Sequence, residues 1–233
     1  LARSKKKKAL QTIRRKLITK LNPKSPISEQ YRTIRTNIQF SSVDEEIRSI
    51  MVTSSGPGEG KSTTAANLAI VFAQQGKRVL LIDGDLRKPT VHYTFGLTNS
   101  FGLSNVLTHQ MEISEVINVT NEELLSVMTS GPIPPNPAEL LSSRTMANFI
   151  QEAQSQFDLI IFDTPPVLAV TDAQLLSNHC DGTVLVISSG KTEVEAALKT
   201  KESLEAAKAK LLGVILNNKK MKKNDNYYYY YQA

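Results

Sequence analysis

The stretch "SIMVTSSGPGEGKSTTAANLA", residues 49–69, constrains the fold more than any other part of the chain. It reads as a strand, a glycine-rich loop, Lys-Ser and a helix. Loops of this kind turn successive backbone N–H groups toward phosphate oxygens, and the following helix N-terminus adds partial positive charge. Gly56, Gly58 and Gly60 keep side chains away from the phosphates. Lys61 can reach the β- and γ-phosphates, and the Ser62 hydroxyl can ligate Mg²⁺. Pro57, Glu59 and Thr63 complete the candidate nucleotide-binding set. The pattern G-x-x-x-x-G-K-[ST] has glycine in its first place, where this chain has Ser55.

After a first helix the pattern alternates. Strand-like runs are "SIMVTS", "RVLLID", "LLSVMT", "DLIIFD", "TVLVIS" and "GVILN". Helix-like runs fall at 62–75, about 137–155, 171–178 and 192–209. The strands are apolar throughout, which suits strands covered on both faces. The expectation is therefore an α/β fold of the P-loop NTPase kind, a mostly parallel twisted sheet with helices on both faces. Ligands in such sheets sit at the carboxyl ends of the strands.

Acids stand where that rule directs attention. In "VLLIDGDLRKP", Asp83 and Asp85 follow a strand, with Arg87 just beyond. Two carboxylates beside bound phosphate can hold Mg²⁺ through its waters or accept a proton from an attacking hydroxyl. The alternative is a polar turn in which Asp85 caps the next segment. In "DLIIFDTPP", four apolar residues lead to Asp163, placed to position or ligate the metal. Together the motifs point to Mg-ATP or Mg-GTP and leave the phosphoryl acceptor open among water, protein and small molecule.

Charge divides the chain. Residues 1–24 carry ten Lys/Arg and no acid, residues 217–233 carry four Lys and one Asp, and the 14 basic and 21 acidic residues between give a body near −7. A nucleic-acid groove on that body is poorly supported. Three parts follow: a basic arm (1–24), a folded domain (25–218) and a mobile tail (219–233). The arm reads either as a solvated segment or as one drawn to anionic lipid. The tail ends in five consecutive tyrosines, Tyr227, Tyr228, Tyr229, Tyr230 and Tyr231, in a chain with 7 Tyr and no Trp. The first helix, "SPISEQYRTIRTNIQF", takes Ser25 as cap and Pro26 as its first residue. Ile27, Tyr31, Ile34 and Ile38 make its apolar stripe, while Glu29, Arg32 and Arg35 lie three apart on another face. "NPAE" reads as a capped helix start with Asn136 as cap. Asn217, ending the last strand, reads equally as a strand-end cap or as a group facing the base. The lone Cys180 rules out an internal disulfide, and His92, His109 and His179 lack metal-ligand spacing.

"SGPGEGKSTTAANLA", "LLIDGDLRKP", "GPIPPNPAELL" and "FDLIIFDTPP", in this order, resemble the bacterial tyrosine kinases of capsule and exopolysaccharide assembly, with the soluble kinases of Gram-positive capsule operons the nearest in look. The likeness covers about residues 25–233. It implies ATP and Mg²⁺ at Lys61 and Ser62, metal binding and the base at Asp83, Asp85 and Arg87, and a third nucleotide motif at Asp163. Related nucleotidases suggest the adenine-facing reading of Asn217, with the strand-end cap an equal alternative. Glu29, Arg32 and Arg35 match an E-x-x-R-x-x-R motif that implies assembly into ring-like homo-oligomers. Tyr227 to Tyr231 match a cluster phosphorylated by a neighbouring subunit. The implied partners are a transmembrane modulator with an activating cytoplasmic tail, protein-tyrosine substrates and a phosphatase, with no nucleic acid. The implied location is the cytoplasm, at the inner face of the membrane through the modulator. Residues 1–24 then read as native or as a piece of that modulator. The main rival is a partition or division-site switch ATPase, whose second lysine, five residues before the loop lysine, is Gly56 here; a third reading is a nucleotide-binding scaffold for polysaccharide assembly, in which phosphorylation only tunes docking.

Overall fold

The computed structural model describes residues 17–41 and 46–220; Tyr227 to Tyr231 and the first sixteen residues lie outside that range. Two helices open it, α1 (Ile18–Leu21) and α2 (Pro26–Phe40). Ser25 caps α2 as its sequence suggests, its Oγ accepting from the Ser28 N–H at 3.1 Å. The apolar stripe starts later than expected. Tyr31 and Ile38 are buried, but Ile27 is 49% exposed. Ser28 holds the inward place instead and donates to the Asn22 carbonyl at 2.7 Å.

The boundary of the basic arm also moves. Charge groups residues 17–21 with it, yet Thr19 is fully buried and Leu17 and Ile18 pack on the core. Thr19 donates through N and Oγ1 to Asn67 Oδ1 at 3.1 and 2.8 Å. Those bonds dock α1 on the central helix, a contact that a local charge count does not reveal.

The remaining elements are β1 (Ser49–Ser54), α3 (Lys61–Ala73), β2 (Val79–Asp83), α4 (Val91–Phe95), α5 (Leu103–Leu107), α6 (Ile113–Val116), β3 (Ile117–Val119), β4 (Leu125–Met128), α7 (Pro137–Leu141), α8 (Arg144–Gln156), β5 (Leu159–Asp163), α9 (Asp172–Ser177), β6 (Gly182–Ser188), α10 (Val194–Ala206) and β7 (Leu211–Asn217). The sheet runs β3-β4-β2-β5-β1-β6-β7. All its neighbours are parallel except β3 and β4.

Alternation along the central strands feeds two cores. Ile50, Val52, Val79, Leu81, Leu159 and Ile161 face one, under α2 and α3. Met51, Leu80, Ile82, Ile160 and Phe162 face the other, under α8 and α9. A side-chain period of two between two helical layers makes each strand apolar at every position. Edge strand β7 departs from this, with Val214 and Leu216 about half exposed.

Two helix readings change. The run at 137–155 is two helices, because Ser143 takes a fresh cap, accepting from the Met146 N–H at 3.2 Å. Asn136 stands at the start of α7 without capping it; its amide donates to the Glu139 carboxylate at 2.6 Å.

Candidate active site

The central parallel order β2-β5-β1-β6 places four carboxyl ends side by side. From β1 comes the loop 55–60. Its Gly58 and Gly60 have φ of 74° and 100°. A Cβ on Gly60 would stand 2.0 Å from Asn217 Nδ2, so glycine is required there on both counts. Ser55 has no such backbone, which is why serine can stand where the pattern has glycine. Gly56 is likewise outside the left-handed region.

Helix α3 opens without a side-chain cap, although eleven of its thirteen residues are buried. Among the described residues, the N–H groups of Gly58, Glu59, Gly60, Lys61 and Ser62 have no protein acceptor. Consecutive unbonded donors at the N-terminus of a buried helix make an anion site.

The loop is braced from outside. The buried Glu59 carboxylate accepts from the Ser55 N–H at 2.9 Å and from Thr192 Oγ1 at 2.7 Å. Its backbone carbonyl accepts from Asn217 Nδ2 at 2.8 Å. Lys191 Nζ donates to the carbonyls of Pro57 and Gly58 at 3.0 and 3.2 Å. The Glu59 side chain therefore shapes the loop, and Asn217 grips it from the end of β7.

Lys61 lies inside, half-buried. Its ammonium is 3.3 Å from Asp163 Oδ1, 3.3 Å from Ser62 Oγ and 3.6 Å from Asp85 Oδ2. Asp83 and Asp163 are register partners on β2 and β5, and both are fully buried. Asp83 Oδ2 accepts from the N–H groups of Thr90 and Val91, each at 2.8 Å, and so holds the start of α4. Burial, aided by the Asp163 charge, pushes the Asp83 carboxyl up to about 7; the two backbone donors and Lys61 pull the other way. Asp85 Oδ1 accepts from the Lys88 N–H at 3.0 Å, and burial raises this carboxyl too, against the pull of Lys61. Asp163 Oδ2 is buried with no partner among the described residues.

That orphan oxygen fits a hard cation. A buried carboxylate oxygen left without a donor is costly, and a divalent ion with its waters relieves the cost. Ser62 and Asp85 supply further hard oxygens beside the same ammonium. The amide row fits the phosphates of a nucleotide. Thr63 follows Ser62 on α3 and is half-buried.

Other expected residues sit apart. Arg87 gives its guanidinium to Asp172 on α9, with Nε–Oδ2 at 2.8 Å and Nη2–Oδ1 at 3.0 Å. Glu29 and Arg32 pair with each other, and Arg32 also donates to the Pro23 carbonyl at 2.8 Å. Arg35 turns inward, donating from Nη1 to the Val71 carbonyl in the last turn of α3 at 2.8 Å. Burial lowers the Arg35 pKa.

Three residues escaped the sequence reading: Lys191, Thr192 and Asp172. The first two lie three and four residues past the end of β6, so the rule about strand ends could have found them. Asp172 lies nine residues past Asp163, and no spacing marks it.

The AAA domain family (AAA_31) matches residues 47–196. The tyrosine-protein kinase YwqD of Bacillus subtilis (strain 168) is 62% identical over 205 residues, 88% of this chain and 86% of that protein. Among solved structures, the chimerical protein CapA2B2 superposes with a TM-score of 0.85 at 48% identity, covering 89% of this chain and 93% of that one. The septum site-determining protein MinD of Pyrococcus horikoshii, complexed with Mg-ADP, superposes with a TM-score of 0.62 at 25% identity, covering 72% and 69%.

Proposed function

Given that this chain belongs to the bacterial tyrosine-protein kinases, we propose that it transfers the terminal phosphoryl group of Mg-ATP to protein tyrosine, its own tail included. The observation that carries this reading is the Lys61 ammonium held among Asp163, Asp85 and Ser62 in front of a row of unbonded amides. Bound Mg-ATP would supply the transferable group and a divalent charge beside it.

This chain's residues divide the remaining work. Loop amides 58–62 orient the phosphates. Lys61 offsets charge that builds on the transferred oxygens. Ser62 Oγ and Asp163 Oδ2 would hold the metal, whose charge would assist transfer. Asp83 is committed to the Thr90 and Val91 amides, so its part is to fix the loop after β2. Asp85 is the base. It keeps slight exposure, and its Oδ2 faces the ammonium, where an entering phenol would give up a proton. Arg87 serves by tying the Asp85 loop to α9.

The acceptor is the cluster Tyr227–Tyr231, offered by another subunit of a ring-like assembly in which Glu29 and Arg32 face the neighbour. None of the described helices is long and apolar enough to cross a membrane. Attachment to the inner face of the membrane then falls to a transmembrane modulator whose tail activates the kinase. A phosphatase reverses the modification, and the cycle regulates capsular polysaccharide synthesis.

Labelled ATP tests this directly. A Lys61→Met chain that keeps the tail is mixed with an active chain lacking residues 219–233. Label on the tail of the inactive chain supports transfer between subunits. Release of free phosphate alone favours the switch-ATPase reading, which the likeness to MinD keeps in view.

A further inference from the structure

Lys191 has no part in the reading above, yet it is the cation that touches the phosphate loop from outside. Its ammonium donates to two consecutive carbonyls, Pro57 O at 3.0 Å and Gly58 O at 3.2 Å. Each carbonyl shares a peptide unit with the next residue's N–H. Pro57 O is joined to the Gly58 N–H, and Gly58 O to the Glu59 N–H. No peptide in the described chain is cis. A trans unit is planar and directs its N–H opposite to its C=O. With the carbonyls turned to Lys191, the Gly58 and Glu59 N–H groups point away from it, and neither has a protein acceptor among the described residues.

A cation on a carbonyl oxygen draws electron density through the amide and makes its N–H a stronger donor. It also holds the peptide plane in one orientation. Thr192, next in sequence, pins the Glu59 side chain at 2.7 Å, and its Oγ1 accepts from the Ser188 N–H at 2.8 Å. The loop after β6 thus fastens both the backbone and the one buried acid of the phosphate loop. A Cβ on Gly58 would lie 2.9 Å from the ammonium, a contact the flexible Lys191 chain can relieve; it is the φ of 74° that favours glycine there.

We infer that Lys191 is a positioning residue for nucleotide binding, acting through the Pro57–Gly58 and Gly58–Glu59 peptide units and without touching the transferred group. The inference rests on the nucleotide-binding part of the proposed function and adds a residue to it. Because these amides grip the nucleotide before and during transfer alike, loss of Lys191 weakens binding and leaves turnover largely intact.

The experiment compares the full chain with Lys191→Met, Lys191→Arg and, as a control on exposed α10, Lys199→Met. Mg-ATP affinity is measured by calorimetry, phosphoryl transfer by steady-state kinetics, and the thermal midpoint without nucleotide. Lys191→Met should bind about tenfold more weakly and raise KM by a similar factor, with kcat within about twofold. Lys191→Arg should recover most of the affinity, and Lys199→Met should match the parent. Affinity in Lys191→Met equal to the parent overturns the inference alone, as does a fall in kcat with KM unchanged. A weakening matched by a lower thermal midpoint overturns it too, since that marks general loosening. Failure of the unaltered chain to bind Mg-ATP overturns the inference together with the function it rests on.

Discussion

Arg87 reaches from the loop after β2 to Asp172 at the start of α9 and closes both oxygens of that buried carboxylate. Asp172 is fully buried, while Arg87 keeps 39% of its side chain exposed. The pair is a tie between the segment that carries Asp85 and the segment that follows Asp163. Removing the guanidinium strands a buried charge. Arg87→Ala should cost about 2 kcal/mol, at the low end for a buried pair because one partner is half in water. Urea unfolding of Arg87→Ala, Asp172→Asn and the double variant checks this. The double variant should lose less than the two single losses combined.

The two neighbouring acids should behave differently. Asp85→Asn is expected to lower phosphoryl transfer at least 100-fold while Mg-ATP still binds, because a proton acceptor is lost and the loop is not. Asp83→Asn should retain part of the activity, since an amide oxygen can still accept from Thr90 and Val91. Equal losses in both variants would count against assigning the base to Asp85.

A pH effect on stability follows from Asp83. Its carboxyl is pushed up to about 7 in the folded chain, against an ordinary value of 3.8. Between those values folding takes up a proton, so stability falls as pH rises. The metal-free protein should therefore show a lower urea midpoint at pH 7 than at pH 5 from this site. Asp83→Asn should flatten that slope.

Gly60→Ala tests the cradle. The backbone there sits at φ 100°, and the new methyl would meet the Asn217 amide. A loss of about 1–2 kcal/mol in stability is expected from the left-handed backbone alone. Adding Asn217→Ala should remove the clash and keep the backbone strain, so recovery is partial. Nucleotide affinity and unfolding midpoints report the two parts.

Helix α2 separates two arginines that share a motif. Arg32→Ala should reduce the mass seen by sedimentation and leave subunit stability within about 0.5 kcal/mol, since its ion pair is partly exposed. Arg35→Ala removes a donor to the last turn of α3 and should destabilise the subunit by about 1 kcal/mol. Loss of assembly in Arg35→Ala would thus carry a folding component that Arg32→Ala lacks.

Much of this was legible in the residues. Six strands stand out as short apolar runs; for the central ones the reason is that helices cover both sides of the sheet, while edge strand β7 leaves Val214 and Leu216 about half exposed. β3 does not stand out, being three residues long at the margin, with polar Asn118 in the middle. The helices α4, α5 and α6 span four or five residues each, too few for a helical period to show. Lys61, Asp83, Asp85 and Asp163 lie together, as their places at strand ends suggest, because a parallel sheet gathers the ends of its strands. How Asp83 and Asp85 differ is not found that way, for it depends on which backbone amides come within reach. Lys191 and Asn217 reach the phosphate loop from 134 and 158 residues away in sequence. No local pattern encodes a contact of that length.

The distance has a consequence for biosynthesis. A nascent chain exposes residues 55–60 early, but the groups that hold them come from the loop after β6 and from the end of β7. Until Asn217 has left the ribosome the cradle lacks the last of its outer supports. On the proposed function, a premature stop just ahead of β7 would yield a chain that keeps most strands of the sheet but lacks the Asn217 grip on the Glu59 carbonyl, and weaker ATP binding by such a chain is the expected outcome.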